Sequence, residues 1–380
     1  MYRNRLLQKT LKQVAKTFPV IVITGPRQSG KSTLLRKVLA NKASFINMDD
    51  PNVRNIIIDN PMEYLKRLKL PIVIDEVQYM PEIMSYIKII IDEKRKPGSF
   101  FLTGSQNFIM MRGVSESLAG RAAILSLPSF QLKERKVIPE LYSLLVRGSY
   151  PEVVMKPKIN IDIWYSSYMQ TYIQRDLRSL LNVSDLRSFE QFLRLLAARV
   201  SGELNMSHLA NDLGVSVPTI SRWISILESS YIIFLLPPYF KNFGKRIIKS
   251  PKLYFYDTGM ILHLLNLKEK TLLEKAPFVG AIFENMVVSE LLKKKFAEGK
   301  KPEIYYWRSQ SGIEVDLIYE ENGSYIPCEI KLSKIIKPEF AKNLKLWMQI
   351  SGVKSGLILS NCTEKIFLAD NIQNKHWKNI

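Results

Sequence analysis

Short, wholly apolar runs punctuate the first third of the chain. Pro19–Thr24 (PVIVIT), Ile72–Ile74 within LPIVIDEVQYMP and the apolar run of GSFFLTGSQNF each read as a strand covered on both faces, the pattern of a parallel sheet. The stretch ahead of the first run, MYRNRLLQKTLKQVAKTFPV, reads as a basic amphipathic helix. Residues 135–189 are helical by pattern, and Tyr165, Tyr168 and Tyr172 recur at helical spacing, which points to a packed face rather than a base-stacking platform. LNMSHLANDLGVSVPTISRWISILESSYII then keeps Ala210, Gly214 and Ile220 at the spacing of a helix–turn–helix, with Gly214 free to take the positive φ of the turn. After it, YIIFLLPPYFKNFGKRIIKSPKLYFYD reads as two strands around a basic turn. The last third opens with PFVGAIFENMVVSELLKKK, a helix whose apolar stripe is Phe283, Val287, Leu291 and Leu292, with Glu284 beside it. EIYYWRSQSGIEVDLIYEENGSYIPCEIKLS supplies three strands, and Ser355–Ser360 (SGLILS) a fourth beyond a helix.

At 380 residues, 46% hydrophobic and 24% charged, the chain is globular and has room for two or three cores. Lys and Arg outnumber Asp and Glu by 55 to 35, a formal +20 that favours a polyanionic partner, DNA first among them. The alternative is a lysine-rich composition with no such meaning. Two cysteines, Cys328 and Cys362, are too few for a disulfide framework or a cysteine zinc site, and Cys328 reads as core filler. The opening helix lacks the apolar run of a signal peptide, and YIIFLLPPYF is too short to span a bilayer. A cytoplasmic protein with no membrane partner is expected.

Candidate chemistry begins at the turn after the first strand. Gly25–Ser32 fits G-x-x-x-x-G-K-[ST] between a strand and a helix, where glycines let backbone N–H groups approach phosphates and the helix N-terminus adds its dipole. Gly25, Pro26, Arg27, Gln28, Ser29, Gly30, Lys31, Ser32 and Thr33 are therefore expected to hold ATP, with Lys31 on the β and γ phosphates and Ser32 on Mg²⁺. The strand in LPIVIDEVQYMP ends in Asp75, which would fix the metal, and Glu76, which would polarise the attacking water. The third strand ends in Thr103, Gly104, Ser105 and Gln106; one of these would sense the γ phosphate, the pattern does not single it out, and Ser105 stands as the candidate. Arg121 is placed to stabilise transition-state charge, in cis or on a neighbouring subunit of a homo-oligomer, although a plain surface arginine fits its spacing nearly as well.

Downstream, the helix VPTISRWISILESS would expose Thr219, Ser221, Arg222 and Ser225 to a major groove. Lys241, Lys245, Arg246, Lys249 and Lys252 follow with no acid among them and would contact phosphates. A winged helix used for protein contacts is the alternative. In the last third, Glu284 on a helix, Asp316 on a strand, and Glu329 and Lys331 on the next strand keep the order of a PD-(D/E)xK nuclease-like fold. Asp316 and Glu329 offer hard oxygen ligands to Mg²⁺ or Mn²⁺, and Lys331 would orient the attacking water. Cutting is not implied by the acids alone, which could equally serve DNA binding or regulation.

GPRQSGKSTLL, FINMDDP, IVIDEVQYMP, FLTGSQNF and SLAGRAAILSLPSF together resemble the AAA+ ATPases of bacteria and archaea that carry a C-terminal domain of unknown function. The likeness continues through RGSYPEVV (Arg147–Val154) and YMQTYIQRDLRSL (Tyr168–Leu180), so it covers essentially the whole chain. It implies Gly25–Thr33 on the nucleotide, Asp75 and Glu76 as Walker B, the Thr103–Gln106 region as sensor 1 and Arg121 as an arginine finger. The expected fold class is α/β: a P-loop AAA+ domain with a parallel sheet (1–134), a helical region (135–189), a winged helix (190–258) and a restriction-endonuclease-like α/β domain (259–380). The expected activity is ATP hydrolysis coupled to binding, remodelling or cleavage of DNA, with branches or ends as candidate targets. A nucleotide-gated signalling or defence switch working through protein contacts is the rival.

Overall fold

The computed structural model describes residues 2–104, 113–114, 116–172, 186–239, 250–368 and 371–380. Its first part alternates helix and strand: α1 (Leu7–Val14), β1 (Val20–Thr24), α2 (Lys31–Leu39), β2 (Ser44–Asn47), α3 (Pro51–Asp59), α4 (Pro61–Arg67), β3 (Ile72–Asp75), α5 (Ile83–Glu93), β4 (Phe100–Thr103) and β5 (Ala122–Ser126). The strands form one parallel sheet in the order β2-β3-β4-β1-β5. β1 and β4 are buried at every position, as central strands between helical layers must be. The register aligns Ile23 with Thr103, Thr24 with Ser126 and Asn47 with Asp75, so the polar strand ends converge on one edge. That is the edge where parallel sheets place ligands.

The middle is helical: α6 (Leu141–Arg147), α7 (Pro151–Met155), α8 (Ile161–Tyr172), α9 (Leu186–Ala198), α10 (Met206–Leu213) and α11 (Val217–Ser229), then the antiparallel pair β6 (Ile233–Leu236) and β7 (Lys252–Phe255), then α12 (Thr258–Leu264) and α13 (Lys270–Lys275). Tyr165 and Tyr168 are buried, as the packing reading expected; the side chain of Tyr172 lies outside the described residues. Gly214 takes φ 64° between α10 and α11, and Asn205 and Ser216 cap the two helices by accepting from the backbone N–H groups of His208 and Thr219. Trp223 packs its indole 5.4 Å from Phe189 and 5.2 Å from Phe192.

The last part holds α14 (Val279–Ala297), β8 (Ile304–Arg308), β9 (Glu314–Glu321), β10 (Ser324–Lys331), α15 (Lys342–Ser351), β11 (Gly356–Ser360), β12 (Phe367–Leu368) and β13 (Ile372–His376), in a mixed sheet of order β12-β13-β11-β10-β9-β8. Asn322 and Gly323, both at positive φ, close the β9–β10 hairpin. α14 departs from the expected single stripe, because it runs between this sheet, β7 and the first domain and is buried on nearly every face. Its polar side chains are paired accordingly. Asn285 accepts from Phe255 N at 2.7 Å and donates to Phe255 O at 3.0 Å, and Lys293 pairs with Glu290 at 3.1 Å. One hydrophobic core runs unbroken from Leu132 to Ile380 and joins the middle to the C-terminal sheet.

Candidate active site

The glycine loop leaves β1 through Gly25 at φ 143°, where a Cβ would stand 2.2 Å from the Leu127 carbonyl oxygen. Gln28 at φ 60° and Gly30 at φ 91° continue the left-handed course, the backbone of an anion cradle. Pro26 and Arg27 complete the turn, and Lys31, Ser32 and Thr33 form the first turn of α2. Lys31 is buried, and its ammonium donates to the carbonyls of Gly25 and Pro26, both at 2.9 Å. Ser29 is wholly buried, and its hydroxyl makes no hydrogen bond among the described residues. This loop fits a nucleotide phosphate.

An N-terminal clamp, invisible to spacing rules, holds the loop from behind. Arg5 donates to Ser29 O and to Pro128 O, both at 2.6 Å, and pairs with Glu134 at 3.0 Å. Glu134 in turn accepts from the backbone N–H groups of Leu6 and Gln131.

Across the edge, Asp75 and Glu76 end β3. Thr103, fully buried at the end of β4, donates through its hydroxyl to Asp75 Oδ1, and the Thr103 hydroxyl oxygen accepts from Glu76 N at 3.4 Å. Glu76 is held at φ 54°, ψ 47°, a left-handed conformation that a non-glycine residue adopts only when its surroundings enforce it, and its carboxylate accepts from the Gln78 amide. Thr103 is thus the described residue of the Thr103–Gln106 stretch that touches both acids; Ser105 lies outside the described residues.

A second polar cluster forms where α14, β7, β9 and β10 meet. Asp316 Oδ2 accepts from Ile330 N at 2.8 Å and from Lys331 Nζ at 3.4 Å, and Lys331 reaches Glu329 Oε1 at 2.6 Å. Glu329 Oε2 is buried and has no hydrogen-bond partner among the described residues. Glu284 joins the cluster from the other side, accepting from Tyr254 OH at 2.6 Å and from Lys252 at 3.2 Å. Lys252 also pairs with Glu314, which faces Arg308 at 3.4 Å. Burial pushes the Glu284 carboxyl up to about 7 against the pull of Lys252, and the Glu329 carboxyl up to about 8, where Asp316 adds to burial and Lys331 opposes both. Burial also works to lower the Lys252 ammonium, but Glu284, Glu314 and Asp316 outweigh it and hold that group charged. Among the described residues, no three His, Cys, Asp or Glu side chains stand grouped as a ready metal cage. Asp316 and Glu329 with an unsatisfied buried oxygen nonetheless fit one hard divalent cation.

Residues 17–136 match the AAA domain family, residues 138–271 a domain of unknown function (DUF8612) and residues 279–379 a second one (DUF4143). Over 322 residues the chain is 30% identical to Rv2008c, an uncharacterized protein of Mycobacterium tuberculosis, across 84% of this chain and 72% of that one. The chain belongs to the family of Rv2008c. In this Rv2008c-family protein the first domain is an AAA-type ATPase domain. MJ1637, an uncharacterized protein of Methanocaldococcus jannaschii, is 20% identical over 89% of this chain and 80% of its own length. Among solved structures, the Walker-type ATPase paby2304 of Pyrococcus abyssi aligns at 15% identity with a TM-score of 0.47, covering 70% of this chain and 96% of that one. The Thermotoga maritima RuvB Holliday junction branch migration motor aligns at 16% identity with a TM-score of 0.31, covering 61% and 89%.

Several expectations change with the geometry of this Rv2008c-family chain. Arg121 sits at the amino end of β5, opposite the glycine loop; the strand separates them by roughly 16 Å. It forms a two-pronged pair with Asp92 at 2.7 and 2.9 Å, so a role in cis is excluded by distance. Lys252 is the clearest correction. Its run of basic neighbours places it with the phosphate-facing lysines, yet it is buried among Glu284, Glu314 and the Tyr306 ring. The strand alternation of β7 carries the missed signal, because Lys252 and Tyr254 lie two apart and share one face. Lys241, Lys245, Arg246 and Lys249 lie outside the described residues. Ser221, Arg222 and Ser225 are exposed on α11, and Thr219 is half-buried beside the Ser216 cap. Among the described residues no helix is long and apolar enough to cross a membrane.

Proposed function

We propose that this protein uses ATP with Mg²⁺ to drive its engagement with DNA, with α10, α11 and the β6–β7 pair acting as a winged helix and the C-terminal cluster as a PD-(D/E)xK site for Mg²⁺ or Mn²⁺. The observation that carries the reading is the meeting of Asp316, Glu329 and Lys331 across β9 and β10 with Glu329 Oε2 left unsatisfied in a buried position. A buried carboxylate oxygen without a partner is costly, and a bound cation offsets that cost. The +20 charge supports a polyanionic substrate.

In the AAA domain, Lys31 exchanges the two loop carbonyls for phosphate oxygens when nucleotide enters. Thr103 holds Asp75 and the Glu76 backbone in one orientation, and Glu76 receives the proton of the attacking water. Ser32 and Asp75 would hold the divalent cation, which would supply positive charge against the phosphates. In the C-terminal cluster, Lys331 fixes the two carboxylates relative to each other and supplies positive charge beside a phosphate.

One observation favours the rival switch that works through protein contacts. Among the described residues the exposed face of α11 offers one cation, Arg222, between Ser221 and Ser225. The deciding experiment is incubation of linear, single-stranded and four-way-branched DNA in Mg²⁺ or Mn²⁺, with and without ATP, using wild type, Asp316→Ala and Lys31→Ala. Cutting that disappears in Asp316→Ala supports the metal site, and an ATP effect that disappears in Lys31→Ala supports coupling. DNA retention that is absent at low salt, or that does not weaken with added salt, sinks the DNA reading, since phosphate contacts release counterions.

A further inference from the structure

Among the buried phenols of the described residues, Tyr231 reaches the edge of the sheet that carries the glycine loop. Tyr231 follows the Ser230 cap of α11, the helix that carries Ser221 and Arg222. The helix closes with paired backbone bonds from Tyr231 N to Glu228 O and from Ile232 N to Leu227 O, both at 3.0 Å. In that closure the residue after the cap is left-handed and is ordinarily glycine; here it is a tyrosine at φ 59°. A bulky residue keeps such a conformation only where its side chain is held.

What holds it is the base of the glycine loop. The Tyr231 hydroxyl shares a hydrogen bond with Thr24 Oγ1 at 2.5 Å and with Ser126 Oγ at 3.2 Å. Thr24 and Ser126 face each other at the ends of β1 and β5, and their own hydroxyls lie 3.2 Å apart. Thr24 directly precedes Gly25, and Leu127, next after Ser126, donates to Thr24 O at 2.8 Å and seats its carbonyl against Gly25. The Tyr256 ring packs 5.5 Å from the Tyr231 ring and backs it.

We propose that Tyr231 is a positioning residue of the ATPase site: its hydroxyl sets the take-off of the glycine loop from β1 and makes nucleotide affinity depend on the placement of α11. Any ligand that shifts α11 then alters nucleotide binding, and nucleotide alters that ligand's binding by the same factor. The first half rests on the AAA domain alone; the identity of the ligand rests on the reading of α11 proposed above.

The test is nucleotide binding and steady-state ATP hydrolysis without DNA, for Tyr231→Phe, Thr24→Val and the double variant. Loss of the buried Tyr231–Thr24 hydrogen bond, common to both, predicts a rise in nucleotide Kd of roughly three- to tenfold in each single variant. The kcat at saturating ATP stays within about twofold, and the double variant falls short of the product of the two single effects, because both variants remove the Tyr231–Thr24 bond while each also takes one bond from Ser126. Thermal melting accompanies each variant, and if Tyr231→Phe does not fold, Thr24→Val gives the same readout. Kd values unchanged in both single variants overturn the proposal, as do effects that multiply in the double variant. Measured without DNA, the result stands or falls independently of whether α11 binds DNA.

Discussion

Replacing Thr103 with valine keeps the size of a fully buried side chain and deletes one hydroxyl. That hydroxyl donates to the Asp75 carboxylate and accepts from Glu76 N, so it joins the two acids of the candidate ATPase site. A hydrogen bond to a charged group contributes about 1.5–3 kcal/mol. If that energy is realised in the orientation of the two acids during hydrolysis, at about 1.4 kcal/mol per tenfold, kcat falls roughly 10- to 100-fold. Folding stability moves far less, because Asp75 and Glu76 are half-buried and water can replace the lost partner. Nucleotide affinity also holds, since Lys31 and the loop are untouched. The assay is phosphate release at saturating ATP, beside nucleotide titration and thermal melting. A folded Thr103→Val protein that turns over within about threefold of wild type refutes the role given to Thr103.

The buried acids predict a pH dependence of definite sign. Glu284 and Glu329 titrate near 7 and 8 in the folded protein, above their unfolded values, so the stability they contribute is fully present below about pH 4.5. It is lost progressively as pH rises from about 4.5 to about 7 for Glu284 and about 8 for Glu329, where the unfolded chain is ionised and the folded one is not, and chemical denaturation at pH 4.5 and pH 8.5 measures the difference. Mn²⁺ favours the ionised cluster, so the gain in melting temperature on adding it should be larger at pH 8.5 than at pH 6; an equal gain at both removes the cation from this site. Asp257→Asn should destabilise by about 3–5 kcal/mol, because the Ser149 amide and hydroxyl, at 2.6 and 2.7 Å from Asp257 Oδ2, would then face an N–H donor; urea midpoints check this. Arg121→Ala should leave melting unchanged and lower ATPase activity only at concentrations where subunits associate, as an arginine acting in trans requires; a loss that is independent of protein concentration excludes that role.

Local pattern carried much of this protein. The apolar runs of β1, β3 and β4, the glycine loop, the Asp75–Glu76 strand end and the turn at Gly214 rest on neighbours within a few residues, where strand and helix periodicity and glycine conformation act directly. The β9–β10 hairpin and the shared face of Asp316, Glu329 and Lys331 were legible for the same reason. The strands β12 and β13 were not expected. NKH within β13 is polar, and its residues enter the sheet by pairing with β11, a partner chosen by the assembled sheet rather than by local sequence.

Tertiary structure alone decided the pairings that span the chain. Arg5 meets Glu134, Tyr231 meets Thr24 and Lys252 meets Glu284 and Glu314, across separations that no periodicity encodes. A lysine on a strand bounded by basic neighbours reads as a solvated cation until the fold buries it beside carboxylates. Desolvation then makes pairing obligatory, because an uncompensated charge in the interior is more costly than the geometry needed to neutralise it. By itself the sequence determined most of the elements and marked the glycine loop as the candidate phosphate cradle. Which charged groups face one another, and therefore which of them are available for chemistry, was settled only when the three parts closed around α14.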